Sequence, residues 1–257
     1  MDPDLWKAVI LGIVQGIAEF LPISSTAHLI LFPWFFGWGG ELDTLAFDVA
    51  LHAGTLMALL VCFYKEWLHL FTRDRKTLAY ILIAIIPAGV AGVLLNKIVE
   101  STLRSPLVIV FSLIVVGFVM LAAERRSRRD LERPSLADSL FIGFAQAIAL
   151  IPGVSRSGIT ITAGLFRNLT RESAARFSFL LSTPVIGGAI LLEGRKLLKS
   201  PEVYHHDVVL AGVAASFISG VLAIKLFLRF IKKHPLDLFV YYRFVLAGII
   251  GVWWIIR

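Results

Sequence analysis

Long apolar stretches separated by short charged loops run the length of this chain. Two stretches, 78–95 and 106–123, carry no charged residue over 18 positions each. As helices they reach about 27 Å, close to the hydrocarbon thickness of a bilayer. Four further spans are predicted near 45–64, 174–194, 208–228 and 239–256, where an occasional polar residue such as Asp48, His52 or Arg243 interrupts the apolar pattern. Pro87, Gly89 and Pro184 fall inside these spans, as membrane helices tolerate.

Segments 5–37 and 137–168 are apolar too, but each is broken near its middle. The breaks read Leu21-Pro22-Ile23-Ser24-Ser25-Thr26 and Ile151-Pro152-Gly153-Val154-Ser155-Arg156-Ser157-Gly158. Neither half is comfortably long enough to cross alone, so each segment predicts a re-entrant helical hairpin. A polar break at membrane depth requires a surround of protein or a water-filled cavity. An offset of 131 residues pairs Gly12 with Gly143, Gln15 with Gln146, Ala18 with Ala149 and Ser24 with Ser155. An offset of 159 then pairs Asp48 with Asp207, Val49 with Val208 and Ala88-Gly89 with Ala247-Gly248. Two collinear matches indicate an internal repeat, about 1–123 and 137–257 within one membrane domain, with an extra span near 174–194 in the second half.

Composition agrees. The chain of 257 residues is 58% hydrophobic and 17% charged, with mean hydropathy +0.82, where a soluble domain carries roughly a quarter charged residues. The net charge of +7 sits in short loops between apolar runs. That pattern indicates membrane orientation and anionic lipid rather than nucleic acid. Lys65, Arg73, Arg75 and Lys76 share a side with Arg125 to Arg133, two crossings apart, and that side is expected to be the cytoplasm. Arg229, Lys232 and Lys233 join them; Arg195, Lys196 and Lys199 fall on the other side. The hairpins then enter from opposite faces and meet tip to tip near the midplane, as inverted repeats do. The single cysteine, Cys62, reads as a packing residue. Asp2 and Asp4 precede the first apolar stretch, where a cleaved leader would be basic, so no leader is expected.

The breaks hold the chemistry. Gln15 and Glu19 lie four apart on one helix face. A carboxylate at this depth costs roughly 2.5–3.5 kcal/mol on insertion scales and marks a partner or a function; the structural alternative is a pair with Arg156. Ser24, Ser25 and Thr26 follow Pro22, and His28 falls one turn after Ser25, where an imidazole could take a proton from a hydroxyl or a water. N-capping by Ser24 or Ser25 is the structural alternative. Ser155-Arg156-Ser157-Gly158 opens a second short helix, with Thr160 one turn on. Free N–H groups, hydroxyls and a guanidinium there suit phosphate oxygens.

At these stretches the chain resembles the undecaprenyl-diphosphate phosphatases of the bacitracin-resistance type. Gln15-Gly16-Ile17-Ala18-Glu19, Leu21 to Leu29 and Pro152 to Thr160 match its motifs, and the likeness in length and motif spacing covers nearly the whole chain. The resemblance implies a multi-pass enzyme of the bacterial inner membrane with a site reached from the periplasmic side. It implies removal of the terminal phosphate of the C55 lipid carrier, recycling it for peptidoglycan synthesis, and a divalent cation, magnesium or calcium. Gln15 stands where many members have Glu, and Ala27 where many have Gly. Glu19 then carries more of any metal role that Gln15 shares.

The expected protein is therefore an all-α polytopic membrane enzyme with roughly six spanning helices and two inverted re-entrant hairpins. Arg156, with Ser24, Thr26, Ser155, Ser157, Gly158 and Thr160, is expected to hold the phosphates. Glu19 and Gln15 hold the cation, Ser25 or a water attacks, and His28 manages the proton. The partners are a polyprenyl diphosphate and membrane lipid, with homo-oligomerisation left open. The rival class is a transporter or flippase for a phosphorylated lipid or anion, since inverted repeats with half-helix tips are transporter architecture. For the orientation, single cysteines replacing Arg128 and Ser101 in a Cys62→Ser background should label from opposite faces of intact cells. Labelling of both from outside would overturn the orientation and the inverted repeat together.

Overall fold

The computed structural model describes residues 4–101, 103, 105–197 and 205–256. They form eleven α-helices: α1 (Leu5–Phe20), α2 (Ser25–Phe36), α3 (Leu45–Cys62), α4 (Tyr64–Thr72), α5 (Arg75–Ser101), α6 (Pro106–Arg126), α7 (Leu136–Ile148), α8 (Arg156–Phe166), α9 (Arg171–Leu197), α10 (His206–Ile231) and α11 (Asp237–Ile256). A short 3-10 turn covers Gly40–Asp43. Six helices, α3, α5, α6, α9, α10 and α11, contain stretches long and apolar enough to cross a membrane. Large apolar side chains such as Phe111, Leu210 and Ile255 project outward from them, as lipid-facing positions do. The chain is an all-α, multi-pass membrane protein whose spans begin and end within a few residues of those read from the apolar pattern. The basic Lys199 lies outside the described residues.

Helix α4 is the main departure from the loop expected after the first span. Lys65 lies within it, and the helix is pinned by the burial of Leu70 and by an ion pair from Arg176 to Glu66 at 2.9 Å. The charged connections come together on one face. Glu124, at the end of α6, accepts from Arg171 at the start of α9 and from the backbone N–H of Leu236, in the α10–α11 turn. Lys232 reaches Glu172 at 3.0 Å, and Arg133 lies 3.7 Å from Asp74. At the other end of the molecule, the backbone N–H of His205 donates to Glu41 at 3.1 Å. The basic loops expected to share a side are thus gathered physically on one side.

The two broken segments fold as paired short helices. Pro22 and its neighbour end α1: Leu21 is extended, as a residue before proline prefers. The next helix starts at Ser24, whose backbone is left-handed (φ 76°) and whose Oγ accepts from Ala27 N–H. Ser155 does the same before α8, with φ 73° and Oγ accepting from Gly158 N–H at 3.1 Å. A non-glycine residue in such a region costs on the order of 1–3 kcal/mol, and the surroundings must enforce it. Helix α1 packs most closely on α10, and α7 packs on α5. Both contacts need glycine. A Cβ on Gly12 would fall 2.2 Å from the Gly212 carbonyl oxygen, and one on Gly143 would fall 2.2 Å from the Ala84 carbonyl oxygen. Backbones meet this closely in membrane bundles because van der Waals contact, rather than water exclusion, drives association there.

Gly12→Leu and Gly143→Leu should therefore each lose the monodisperse size-exclusion peak of the detergent-solubilised protein. Gly89→Leu should keep it, since nothing lies within 4 Å of a Cβ built there. Three equal profiles would mean that these close approaches are not needed.

Candidate active site

The ends of four helices, α1, α2, α8 and, through Ala149, α7, converge on one small polar cavity. Its volume is about 170 Å³. Glu19 from the last turn of α1, Ser24 to Thr26 at the start of α2, and Ser155 and Arg156 at the start of α8 line one side. His52 of α3 and the apolar Val185, Ile186 and Ala189 of α9 close it.

Glu19 is the hub. Its Oε2 accepts from the Ser25 hydroxyl at 2.6 Å and from Gln15 Nε2 at 3.0 Å. Its Oε1 accepts from Arg156 Nη2, joining the two broken segments through an ion pair. His52 Nε2 stands 3.6 Å from Oε2; the His52 ring is oriented by a 2.7 Å contact between Nδ1 and the Asp48 carbonyl. A second tie between the segments runs from Ser157 Oγ to the Leu21 carbonyl at 3.0 Å. Two buried polar atoms in this cluster have no partner, Gln15 Oε1 and Arg156 Nη1. One is an acceptor and the other a donor, and buried polar groups of native proteins are rarely left so.

The residues singled out in the sequence divide into three sets. Gln15, Glu19, Ser24, Ser25, Thr26, Ser155 and Arg156 are brought together at the cavity or directly behind it. Ser157 and Gly158 serve the joint: Ser157 bonds across to α1's end, and Gly158 donates its N–H to Ser155. Thr160 turns away, its hydroxyl bonding the Arg156 carbonyl at 2.7 Å and Ser178 of α9 at 2.6 Å. His28 also turns away. Its Nδ1 contacts the Ser24 carbonyl at 2.7 Å, and its Nε2 contacts the Tyr242 hydroxyl at 2.6 Å. A carbonyl can only accept, so Nδ1 carries the proton and Nε2 faces Tyr242, not Ser25. The expected Ser25–His28 pairing is replaced by Ser25–Glu19.

His52, Tyr242 and Arg243 belong to the surroundings of the site and were not among the residues singled out. His52 and Arg243 had a signal, since each is a polar residue in an otherwise apolar span. Tyr242 had none, because a tyrosine near a helix start reads as an interfacial anchor.

This chain matches the family described as Bacitracin resistance protein BacA over residues 8–249. It is 54% identical to the undecaprenyl-diphosphatase of Thermodesulfovibrio yellowstonii, with 99% of each chain covered. It is 45% identical to that of Moorella thermoacetica, with 98% of each covered, and 46% identical to that of Gemmatimonas aurantiaca, with 96% of each covered. Matches of this extent, over a fold and a site of this kind, place the chain in the bacitracin resistance protein BacA family.

Proposed function

We propose that this protein hydrolyses undecaprenyl diphosphate to undecaprenyl phosphate and inorganic phosphate in the bacterial inner membrane, from a site open to the periplasmic side. The observation that carries the reading is the Glu19–Arg156 pair, in a cavity lined with hydroxyls and placed at two helix N-termini, in a chain whose close relatives bear that name. Arg156 holds Glu19 through Nη2 and leaves Nη1 without a partner, so an N–H edge of the guanidinium is left to donate to a phosphate oxygen. The N-termini of α2 and α8 add partial positive charge, and Ser24, Thr26 and Ser155 add donors. Catalysis of this kind is mostly positioning and charge stabilisation.

Attack on the terminal phosphorus breaks its bond to the bridging oxygen and releases the lipid monophosphate. Ser25 is placed to attack, with its proton passing to Glu19 Oε2, the atom its hydroxyl already bonds. A water activated by the same carboxylate is the alternative nucleophile; it yields inorganic phosphate in one step, whereas the serine route needs a second hydrolysis. On this geometry Glu19 takes over the proton handling expected of His28, and His28 with Tyr242 holds the start of α2.

A divalent cation, magnesium or calcium, fits Glu19 and the unpartnered Gln15 Oε1 in company with substrate phosphates. Among the described residues no three His, Cys, Asp or Glu side chains gather to cage a metal alone, and magnesium is commonly held by one or two carboxylates plus phosphates. When bound, the cation would neutralise charge on the phosphates. The prenyl chain fits the apolar groove of about 840 Å³ along α1 and α10, lined by Ile13, Ile17, Leu21, Ala215 and Leu222 among others. Each methylene buried there is worth about 0.8 kcal/mol relative to water.

The arrangement of helices supports two inverted repeats as the frame of the site. Helices α1, α2, α3, α5 and α6 correspond to α7, α8, α9, α10 and α11, since α1 on α10 mirrors α7 on α5. In this pairing α9 is the counterpart of α3, not an extra span as the offset of 159 implied. The 3-10 turn and α4 are the elements without a counterpart. The two short hairpins are then re-entrant from opposite faces.

Phosphate release from purified, detergent-solubilised protein tests the reading against the transporter alternative. Arg156→Lys keeps a charge but loses the planar fork, and its rate should fall at least a hundredfold. Arg156→Ala leaves Glu19 buried and unpaired, so its folding should suffer; the double variant Arg156→Ala/Glu19→Gln should recover the size-exclusion profile without recovering activity. Wild-type rates in folded Arg156→Lys would sink the assignment. Glu19→Gln should cost orders of magnitude and His28→Ala less; Ser25→Ala should match Glu19→Gln if the serine attacks and be milder if water does. A His28→Ala loss equal to that of Glu19→Gln would return the proton to His28. Gln15→Glu should lower the magnesium concentration for half-maximal rate; an unchanged requirement would remove Gln15 from the cation site.

A further inference from the structure

Arg243 lies on α11 and is completely buried. An arginine has five N–H donors, and here all five are spent on backbone carbonyls. Nε donates to Leu113 at 3.2 Å; Nη1 donates to Pro22 at 3.3 Å and Val154 at 3.2 Å; Nη2 donates to Ser112 at 3.1 Å and Gly153 at 2.9 Å. Those acceptors come from three places: the break between α1 and α2, the break between α7 and α8, and the middle of α6.

We infer that Arg243 is a positioning residue that sets the spacing between the two broken segments, and so between Glu19 and Arg156. The inference rests on the phosphatase reading and extends it. A break in a helix frees carbonyls that water cannot reach at depth, and each must find a donor. One planar fork that satisfies both breaks at once makes their relative position a single geometric variable. Pro22 is three residues from Glu19, and Val154 is two residues from Arg156, so a shift of either loop carries a catalytic side chain with it. The fork is also anchored to α6, which faces α11 closely. The second loop is seated against the same helix: Gly153 is left-handed (φ +92°), and a Cβ there would fall 2.9 Å from the Ile109 carbonyl oxygen. Lysine has three donors on one flexible atom and cannot serve five directions, nor can methionine serve any. The full donor count also explains why, among the described residues, no carboxylate accompanies this buried charge: the carbonyl dipoles solvate it.

Two measurements test this, one of them independent of activity. A Cβ at Gly158 would lie 3.5 Å from the Pro22 Cβ, within the range that a disulfide spans. Pro22→Cys/Gly158→Cys in the Cys62→Ser background should cross-link rapidly in membranes on mild oxidation. Adding Arg243→Met should slow cross-linking at least tenfold. Equal rates with and without Arg243 would overturn the clamp. In turnover, Arg243→Lys should lose at least tenfold in kcat while KM for a polyprenyl diphosphate moves less than threefold, because the phosphate donors remain but their register does not. A wild-type kcat in Arg243→Lys would also overturn it. Should Arg243→Met fail to insert, Gly153→Ala strains the same joint from the acceptor side and should give the same slowed cross-linking; an unchanged rate there counts against the clamp. If the wild type releases no phosphate, the phosphatase reading fails, while the cross-linking comparison still decides the role of Arg243.

Discussion

The ion pair between Glu19 and Arg156 is the interaction on which the rest of this structure is organised. Each group alone would be an uncompensated charge in an apolar interior, and removing one partner of such a pair typically costs ~3–5 kcal/mol. Together they join two segments 137 residues apart in the chain. The pair also leaves chemistry over: Glu19 still accepts from Ser25 and Gln15, and Arg156 still has an unspent donor. A pair that existed only to hold the fold would not need the hydroxyls, the helix N-termini or the cavity that surround it.

Bringing those charges together requires two helices to stop inside the protein, and stopping is costly. Every freed N–H and C=O must be paired without water. The molecule meets this demand with a small set of devices used on both segments. A serine in a left-handed conformation caps the helix that follows each break, Ser157 bridges to the Leu21 carbonyl, and Arg243 collects carbonyls from both loops. The glycines of α1 and α7 then let each short helix lie against a long one closely enough to hold it in place. Strain at Ser24 and Ser155 is sustained because each side chain caps the helix that follows, Ser24 Oγ accepting from Ala27 N–H and Ser155 Oγ from Gly158 N–H.

The exterior obeys a different constraint. Outward apolar side chains of the spanning helices are left to lipid, while their inward faces pack into buried clusters. Charged groups gather on one face, where Glu124 and Glu66 bind Arg171 and Arg176 of α9 and Glu172 binds Lys232, and polar groups gather again at the buried joint. The apolar groove beside α1 and α10 is continuous with this lipid-facing surface.

Much of this was legible in the amino-acid order, because bilayer thickness and the cost of buried polarity act locally. Eighteen apolar residues make a span whatever surrounds them, and a proline–serine break within such a run must be a site or a turn. Hence the six spans, the two broken segments, and Glu19, Ser25 and Arg156 could all be read directly. Side-chain direction could not. Ser25 and His28 lie one turn apart on α2, yet Ser25 bonds Glu19 and His28 bonds Tyr242, because the neighbours supplied by α1 and α11 differ on the two sides of that turn. Thr160 shares a helix with Arg156 but faces α9. Arg243 looked like an isolated polar residue in a span, and only the assembled bundle shows five carbonyls from three separate segments around it. The sequence by itself determined which stretches enter the membrane and which residues were too costly to be there without purpose. The tertiary structure alone decided which of them meet, since a hydrogen bond acts over about 3 Å and the residues it joins here are often more than a hundred positions apart.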